Sequence, residues 1–454
     1  MDFVASGRAG GMAEQIIVAF EGEGSGVDDL SWGQLDLWMA MRRQNSWLPL
    51  GGAVALPAGT SLADVVENLR YLMSRYQPMR TRLRFDADGR PSQVVSSSGE
   101  IALDVVDAGD DDPAQIAEAM RRRYEETEYD FVTQWPLRMG VVVRAGLPTH
   151  LVIIMCHLVA DGSGAALMIA ELDARETAPI KGMQPLEQAR WQRSPAGVRQ
   201  NQAALRYWER LLRTIPARRF AGSDDRRQPR HWRGEFRSLA LQLATQAIAD
   251  RAGMDASPVL MAVYAMALHR MTGINPVVFR PTVNNRFRPG LADVVCTVAE
   301  SGLCALDVAG VPFPEALTRT RQAAMASYKH AYFHPVDVDD LIARVAQERG
   351  PDFDIGCFYN DRRITTRAGS AGPTPTSAQI RDALSGSQTT FRWTIRQDDP
   401  FERLFVHIDD VADAVQITVF MDTHFVSPGD AEAFLYGIEE IAVEAALELV
   451  PHPS

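Results

Sequence analysis

Chemistry concentrates in Met155-Cys156-His157-Leu158-Val159-Ala160-Asp161-Gly162, where a histidine follows a cysteine and precedes an Asp-Gly pair by four residues. A histidine titrates near neutral pH and can take a proton or orient a nucleophile. The Gly162 N–H, at the mouth of a helix, is an unpaired donor for a developing oxyanion. Having no side chain, glycine also lets backbone approach substrate closely. The combination suits acyl transfer, which needs a nucleophile held at an acyl carbonyl and relief for the charge on its oxygen. His157 and Gly162 are therefore the candidate catalytic groups. Cys156 raises a thiolate-nucleophile alternative. Adjacent side chains on a strand point to opposite faces, however, so a Cys156–His157 hydrogen bond has poor geometry and a packing thiol is the better reading. Asp161 could be a catalytic carboxylate or a structural one.

The apolar run Leu151-Val152-Ile153-Ile154 reads as a strand and residues 164–172 as an Ala-rich helix, so a strand delivers His157 to a tight turn at a helix entrance. Residues 419–429 repeat that order, strand, histidine, turn, with a helix over 431–445. His424 aligns with His157 and Gly429 with Gly162, while Pro428 stands where the first copy has Asp161. Two related lobes are expected, with His424 a relic. His150, His269 and His407 read as ordinary core or surface residues.

Elsewhere strands are expected over 52–56, 81–85, 137–144, 150–156 and 276–282. Helices are expected over 113–124, 244–251, 257–271 and 314–329, and after Ser61, where Leu62, Val65, Val66, Leu69, Leu72 and Met73 form one stripe. Residues 1–25 read as a flexible tail (Met12 being a second candidate start), 26–190 as an N-terminal lobe carrying CHLVADG, and 191–454 as a C-terminal lobe. Residues 175–200 are a candidate linker and 362–379 a mobile loop.

At 454 residues the chain exceeds one ordinary core. Its formal net charge of −12 argues against nucleic acid. No apolar stretch nears the roughly 18 residues of a membrane span, and no secretion signal opens the chain. Four scattered cysteines fit a reduced cytoplasm. The arginines of residues 218–237 read as a solvated loop, with charge steering of an acidic partner as the alternative.

The chain resembles the condensation domains of nonribosomal peptide synthetases, within the chloramphenicol-acetyltransferase-like superfamily. Residues 156–162 fit that family's HHxxxDG motif except at its first position. Leu30-Ser31-Trp32-Gly33-Gln34 with Leu37-Trp38 is similar to its opening signature, and Met79-Arg80-Thr81-Arg82-Leu83 to its "LRTRF" strand. Tyr129-Asp130-Phe131 through Pro136-Leu137-Arg138, Tyr207-Trp208 with Leu211-Leu212, and Asn285-Arg286-Phe287-Arg288-Pro289 match further segments in order. The resemblance implies an α/β (α+β) fold of two lobes forming a V-shaped pseudo-dimer with a central tunnel. It implies a structural salt bridge across the lobes between Asp161 and Arg286, with Cys156 structural at the site. It also sets Arg80, Ser163, Glu300 and Ser301 along the substrate tunnel.

No bound cofactor or metal is expected, since the substrates ride on phosphopantetheine arms. The implied partners are acyl or peptidyl carrier proteins in trans and a small-molecule acceptor, with a free-standing, cytoplasmic monomer as the acting form. The implied activity joins a carrier-bound thioester to an amine, or to a hydroxyl as an ester, in secondary metabolism. A non-catalytic domain that recruits a partner is one alternative. An acyl-CoA-dependent acyltransferase is another, disfavoured because Asp352-Phe353-Asp354-Ile355-Gly356 lacks the tryptophan of the plant-type DFGWG motif.

Overall fold

Ser61 Oγ accepts a hydrogen bond from the Asp64 N–H while the Asp64 carboxylate accepts one from the Ser61 N–H, a capping box that satisfies two orphan donors and starts a helix over Leu62–Arg75. Its stripe Val65, Leu69, Leu72 and Met73 is buried, as the 3.6-residue period requires. The computed structural model describes residues 14–363, 373–386, 388–398 and 401–448. It divides into two compact units: one runs up to Val198 and includes Arg286–Val298, and the other contains Arg199–Asn285 and continues from Ala299.

The first unit contains β1 (Glu14–Glu21), β2 (Gly26–Asp29), α1 (Trp32–Gln44), β3 (Pro49–Ala55), α2 (Leu62–Arg75), β4 (Thr81–Phe85), β5 (Pro91–Val95), β6 (Ser98–Asp107), α3 (Pro113–Glu126), β7 (Leu137–Arg144), β8 (Leu147–Cys156), α4 (Gly162–Asp173) and α5 (Pro185–Arg193). Its main sheet has the order β1-β6-β7-β8-β3, parallel only between β6 and β7, and β2-β5-β4 form a small second sheet. Alternation sorts the central strands' side chains to two faces. Leu103, Met139, Val141 and Met155 join Leu69 and Met73 of α2 and Met168 of α4, whereas Val106, Val142, Val152 and Ile154 join Ala117, Met120 and Tyr124 of α3. The strand that presents His157 is thus packed on both sides.

The second unit follows α6 (Pro195–Thr214) with β9 (His231–Ser238), α7 (Leu239–Ala252), α8 (Ala256–Thr272), β10 (Val277–Val283), β11 (Glu300–Ser301), β12 (Cys304–Leu306), α9 (Phe313–Lys329), α10 (Pro335–Arg349), β13 (Cys357–Asp361), α11 (Ser377–Ser385), β14 (Thr390–Gln397), β15 (Leu404–Val411), β16 (Ala414–Asp422) and α12 (Pro428–Glu448). Its mixed sheet runs β11-β10-β13-β15-β16-β9-β14, with β12 also beside β10. Phe279, Tyr359, Val406, Ile417 and Val419 of this sheet meet Ile248, Val263, Tyr264, Phe434 and Leu435 of α7, α8 and α12 in one large core. Among the described residues no helix is long and apolar enough to cross a membrane.

Three segments differ from the sequence expectation. Residues 1–13 of the expected tail lie outside the described residues, but Glu14–Glu21 is a strand paired along its whole length with β6, because Ile16, Val18 and Phe20 alternate inward. Residues 185–193, inside the expected linker, are helix α5. Its pattern is masked by buried glutamines: Gln192 accepts from the Trp32 N–H at 3.0 Å and Gln188 donates to the Met183 carbonyl at 2.8 Å. Of the expected mobile loop, residues 364–372 lie outside the described residues, and Ser377–Ser385 is a helix capped by Thr376.

Candidate active site

β8 ends at Cys156, and the chain then turns sharply, the Val159 N–H bonding to the Cys156 carbonyl at 3.0 Å. The turn is closed by Asp161, the N-cap of α4. Its Oδ1 accepts from the Gly164 N–H at 2.8 Å and from Arg286 Nη2 at 2.8 Å, while Oδ2 accepts from the Val298 N–H at 3.0 Å and from Arg286 Nη1 at 2.9 Å. Arg286 also donates through Nη2 to the carbonyls of Val294 (2.9 Å) and Cys296 (3.1 Å). Both side chains are about nine-tenths buried. A carboxylate with two donors on each oxygen is a brace, since its lone pairs already serve backbone and guanidinium. Segment Arg286–Val298, distant in sequence, thus belongs to the unit that carries the motif.

His157 is half-buried at the strand's end, its Nδ1 enclosed with no hydrogen-bond partner among the described residues. Gly162 is the first residue of α4 and exposed, and a Cβ built there would meet no atom within 4 Å. Its N–H and that of exposed Ser163 precede the first intrahelical bonds and so are available donors beside open space. Cys156 is 0% exposed, packed with Leu30, Met41, Leu83, Tyr129 and Leu158, and its Sγ lies 3.7 Å from the Trp47 carbonyl. Burial pushes its thiol up to about 12, so no thiolate forms near neutral pH.

Two residues expected on the tunnel wall are interior instead. Arg80 is 0% exposed and donates to the carbonyls of Glu23 (2.7 Å), Gly24 (3.1 Å) and Ser96, tying the β1–β2 connection to β5's end. Glu300, at 1% exposure in β11, accepts from the Phe333 N–H at 3.0 Å; a short strand paired to β10 turns its side chain into the second unit. Ser301 beside it is half-buried opposite Thr282.

Sequence reasoning missed Gly164 and Thr297. A Cβ on Gly164 would fall 2.9 Å from Arg286 Nη2 and 3.3 Å from the Cys296 nitrogen, and the Thr297 hydroxyl donates to the His157 carbonyl at 2.7 Å. The second glycine of Asp161-Gly162-Ser163-Gly164 was a visible signal for the first; nothing local marked the second.

In the second unit β16 ends at Asp422 and α12 begins at Pro428, with His424 between. Here the carboxylate precedes the histidine: Asp422 caps the His424 N–H at 3.0 Å and pairs with Arg230, whose Nε lies 2.6 Å away. The other arginines of the stretch are similarly engaged. Arg218 pairs with Asp352, Arg227 with Asp225 and Arg233 with Glu235, and Arg219 is buried against carbonyls, so the stretch is self-satisfied rather than a free basic patch, and Arg233 and Arg237 stand in β9 instead of the expected loop.

The family model described as "Condensation domain" matches residues 53–363. A probable non-canonical nonribosomal peptide synthetase, CymA, of Salinispora arenicola is 26% identical over 328 residues, covering 66% of this chain but 4% of that protein. The chain therefore spans a small fraction of such a relative. The condensation domain that mediates chain release from the enacyloxin polyketide synthase superposes with a TM-score of 0.71 at 20% identity, covering 96% of this chain and 85% of that one. The X-domain in complex with OxyB from teicoplanin biosynthesis does so at 0.66 and 18%, covering 94% and 95%. These share the chloramphenicol-acetyltransferase-like α/β fold. With CHLVADG built on that fold and its aspartate locked to Arg286, the chain belongs to the condensation-domain family.

Proposed function

We propose that this chain forms an amide, or with a hydroxyl acceptor an ester, between an acyl or peptidyl thioester on a carrier protein's phosphopantetheine arm and a small acceptor, acting in trans as a free-standing enzyme of secondary metabolism. The observation that carries the reading is the division of labour in one turn. Asp161 is fully engaged as a brace, which leaves the His157 ring and the Gly162 N–H, beside open space, as the groups able to meet a substrate. The acceptor nitrogen attacks the thioester carbonyl carbon, and the oxyanion is relieved by the Gly162 N–H. His157 orients the amine and takes its proton. Collapse then breaks the C–S bond and the departing sulfur recovers the proton, so atoms and charge balance with no resident cofactor.

A second reading is recruitment of a partner without turnover. Cys156 in place of the motif's first histidine favours it, as does the likeness to an X-domain found in complex with OxyB. The test is intact-protein mass spectrometry on carrier proteins loaded with acyl and aminoacyl groups, mixed with amine and alcohol acceptors. Transfer by the wild type that His157→Ala reduces at least a hundredfold supports the enzyme. Equal transfer by both removes His157's role, and tight partner binding without any transfer establishes recruitment.

A further inference from the structure

We propose that Thr297 is a positioning residue for His157, an inference that rests on the catalytic reading given above. Three observations converge on it. The Thr297 side chain is 1% exposed, and its hydroxyl donates to the His157 carbonyl at 2.7 Å. That carbonyl lies past the end of β8, in the turn, where no strand partner reaches it; among the described residues the Thr297 hydroxyl is its donor. The Thr297 backbone is itself seated against α1: a Cβ on Gly33 would fall 2.4 Å from the Thr297 carbonyl oxygen, so glycine is what lets the two backbones meet. The next residue of the strap, Val298, donates its N–H to Asp161 at 3.0 Å.

One segment therefore grips the motif at both ends, its hydroxyl at the histidine and its backbone at the brace. The brace fixes where α4 begins, and with it the Gly162 donor. The hydroxyl fixes the backbone from which the imidazole projects, and hence the distance between proton acceptor and oxyanion donor. Misplacing a reacting group by about 1 Å can lower a rate roughly a hundredfold. Thr297→Val keeps the shape, deletes the donor and leaves the partly buried His157 carbonyl without it.

The experiment is NMR of protein carrying histidine labelled with carbon-13 at Cε1, in which the His157 signal, one of nine, is the one that vanishes in His157→Asn. In Thr297→Val that signal should move or broaden while the other eight stay. Turnover of whichever loaded carrier the wild type accepts should fall roughly tenfold to a hundredfold, with KM for the acceptor unchanged. Thr297→Ser, which restores the hydroxyl, should return both readouts. Thr297→Ala deletes the donor without adding a methyl contact and serves if the valine variant misfolds. An unmoved His157 signal in the variants lacking the hydroxyl, or no rescue by serine, overturns the proposal. A signal that moves and is rescued while the wild type turns over no thioester leaves the positioning intact and removes the enzyme reading instead.

Discussion

Truncating Asp161 to alanine deletes four hydrogen bonds at once, two from backbone N–H groups and two from Arg286. The larger loss is the stranded guanidinium, whose side chain is 11% exposed: removing one partner of a buried pair costs about 3–5 kcal/mol. Loss of the α4 cap adds about 1 kcal/mol. Asp161→Asn keeps an oxygen for the Gly164 N–H and loses the charge, so it should fall about 1 kcal/mol short of the alanine variant. Asp161→Ala with Arg286→Met removes the stranded charge and should recover about 2 kcal/mol, a coupling that a double-mutant cycle reads directly. Urea unfolding followed by tryptophan fluorescence is the assay, since Trp32, Trp38, Trp47, Trp135 and Trp191 all belong to the first unit. A loss of about 4 kcal/mol moves the midpoint by roughly 2 M at a slope near 2 kcal/mol per M. If Asp161→Asn unfolds with the wild type yet loses acyl transfer a hundredfold, the carboxylate acts chemically and the bracing argument is refuted.

The native protein should release almost no thiol to a disulfide reagent at pH 8, because burial pushes Cys156, Cys296, Cys304 and Cys357 each up to about 12; rapid labelling of Cys156 would contradict that, as would loss of turnover in Cys156→Ala. Arg80→Ala should lose about 3 kcal/mol of stability, given that a hydrogen bond from a charged donor is worth about 1.5–3 kcal/mol, while folded molecules keep their specific activity. Gly164→Ala should lower the melting temperature because its Cβ meets Arg286, whereas Gly162→Ala should melt with the wild type and slow transfer by crowding the approach to its N–H; a reversed order of melting temperatures rejects the assignment. Burial between Phe405 and Phe420 pushes His407 down to about 3, so between about pH 6.5 and 3 the unfolded chain holds a proton that the folded one does not. Stability therefore falls with pH through that window, by at most about 1.4 kcal/mol per unit, and His407→Phe should flatten this limb of an acid titration of stability.

The elements that hold the site were legible because their signals are local. The stripe of α2, the alternation of β4, the apolar run of β7 and the strand–His–turn–helix order each lie within one short window of sequence. Reading failed where a polar side chain sits inside. Gln188 and Gln192 break the apolar period of α5 although both are buried and bonded, and Arg80 and Glu300 look like site residues by type but satisfy interior backbone groups. Thr297 was illegible for another reason. Its partner lies 140 residues away, and only the return of Arg286–Val298 to the first unit brings the two together.

The two strand–His–turn–helix copies show why the proposed chemistry falls to one of them. Each keeps a carboxylate–arginine pair at the strand's end, Asp161 with Arg286 and Asp422 with Arg230. The pairs differ in where the carboxylate sits. Asp161 follows its histidine and caps the helix, so α4 starts on Gly162 with a free N–H beside open space. Asp422 precedes its histidine, the helix start passes to other residues, and the first helical position is Pro428. Proline has no N–H to donate. Counted from the histidine, Gly429 stands where Gly162 does and Pro428 where Asp161 does, so what the second copy lacks at that position is the aspartate that caps the helix and pairs with an arginine. A glycine at 428 would add an N–H at the first helical position but no aspartate cap to aim it, so Pro428→Gly should leave acyl transfer unchanged in a His157→Ala background.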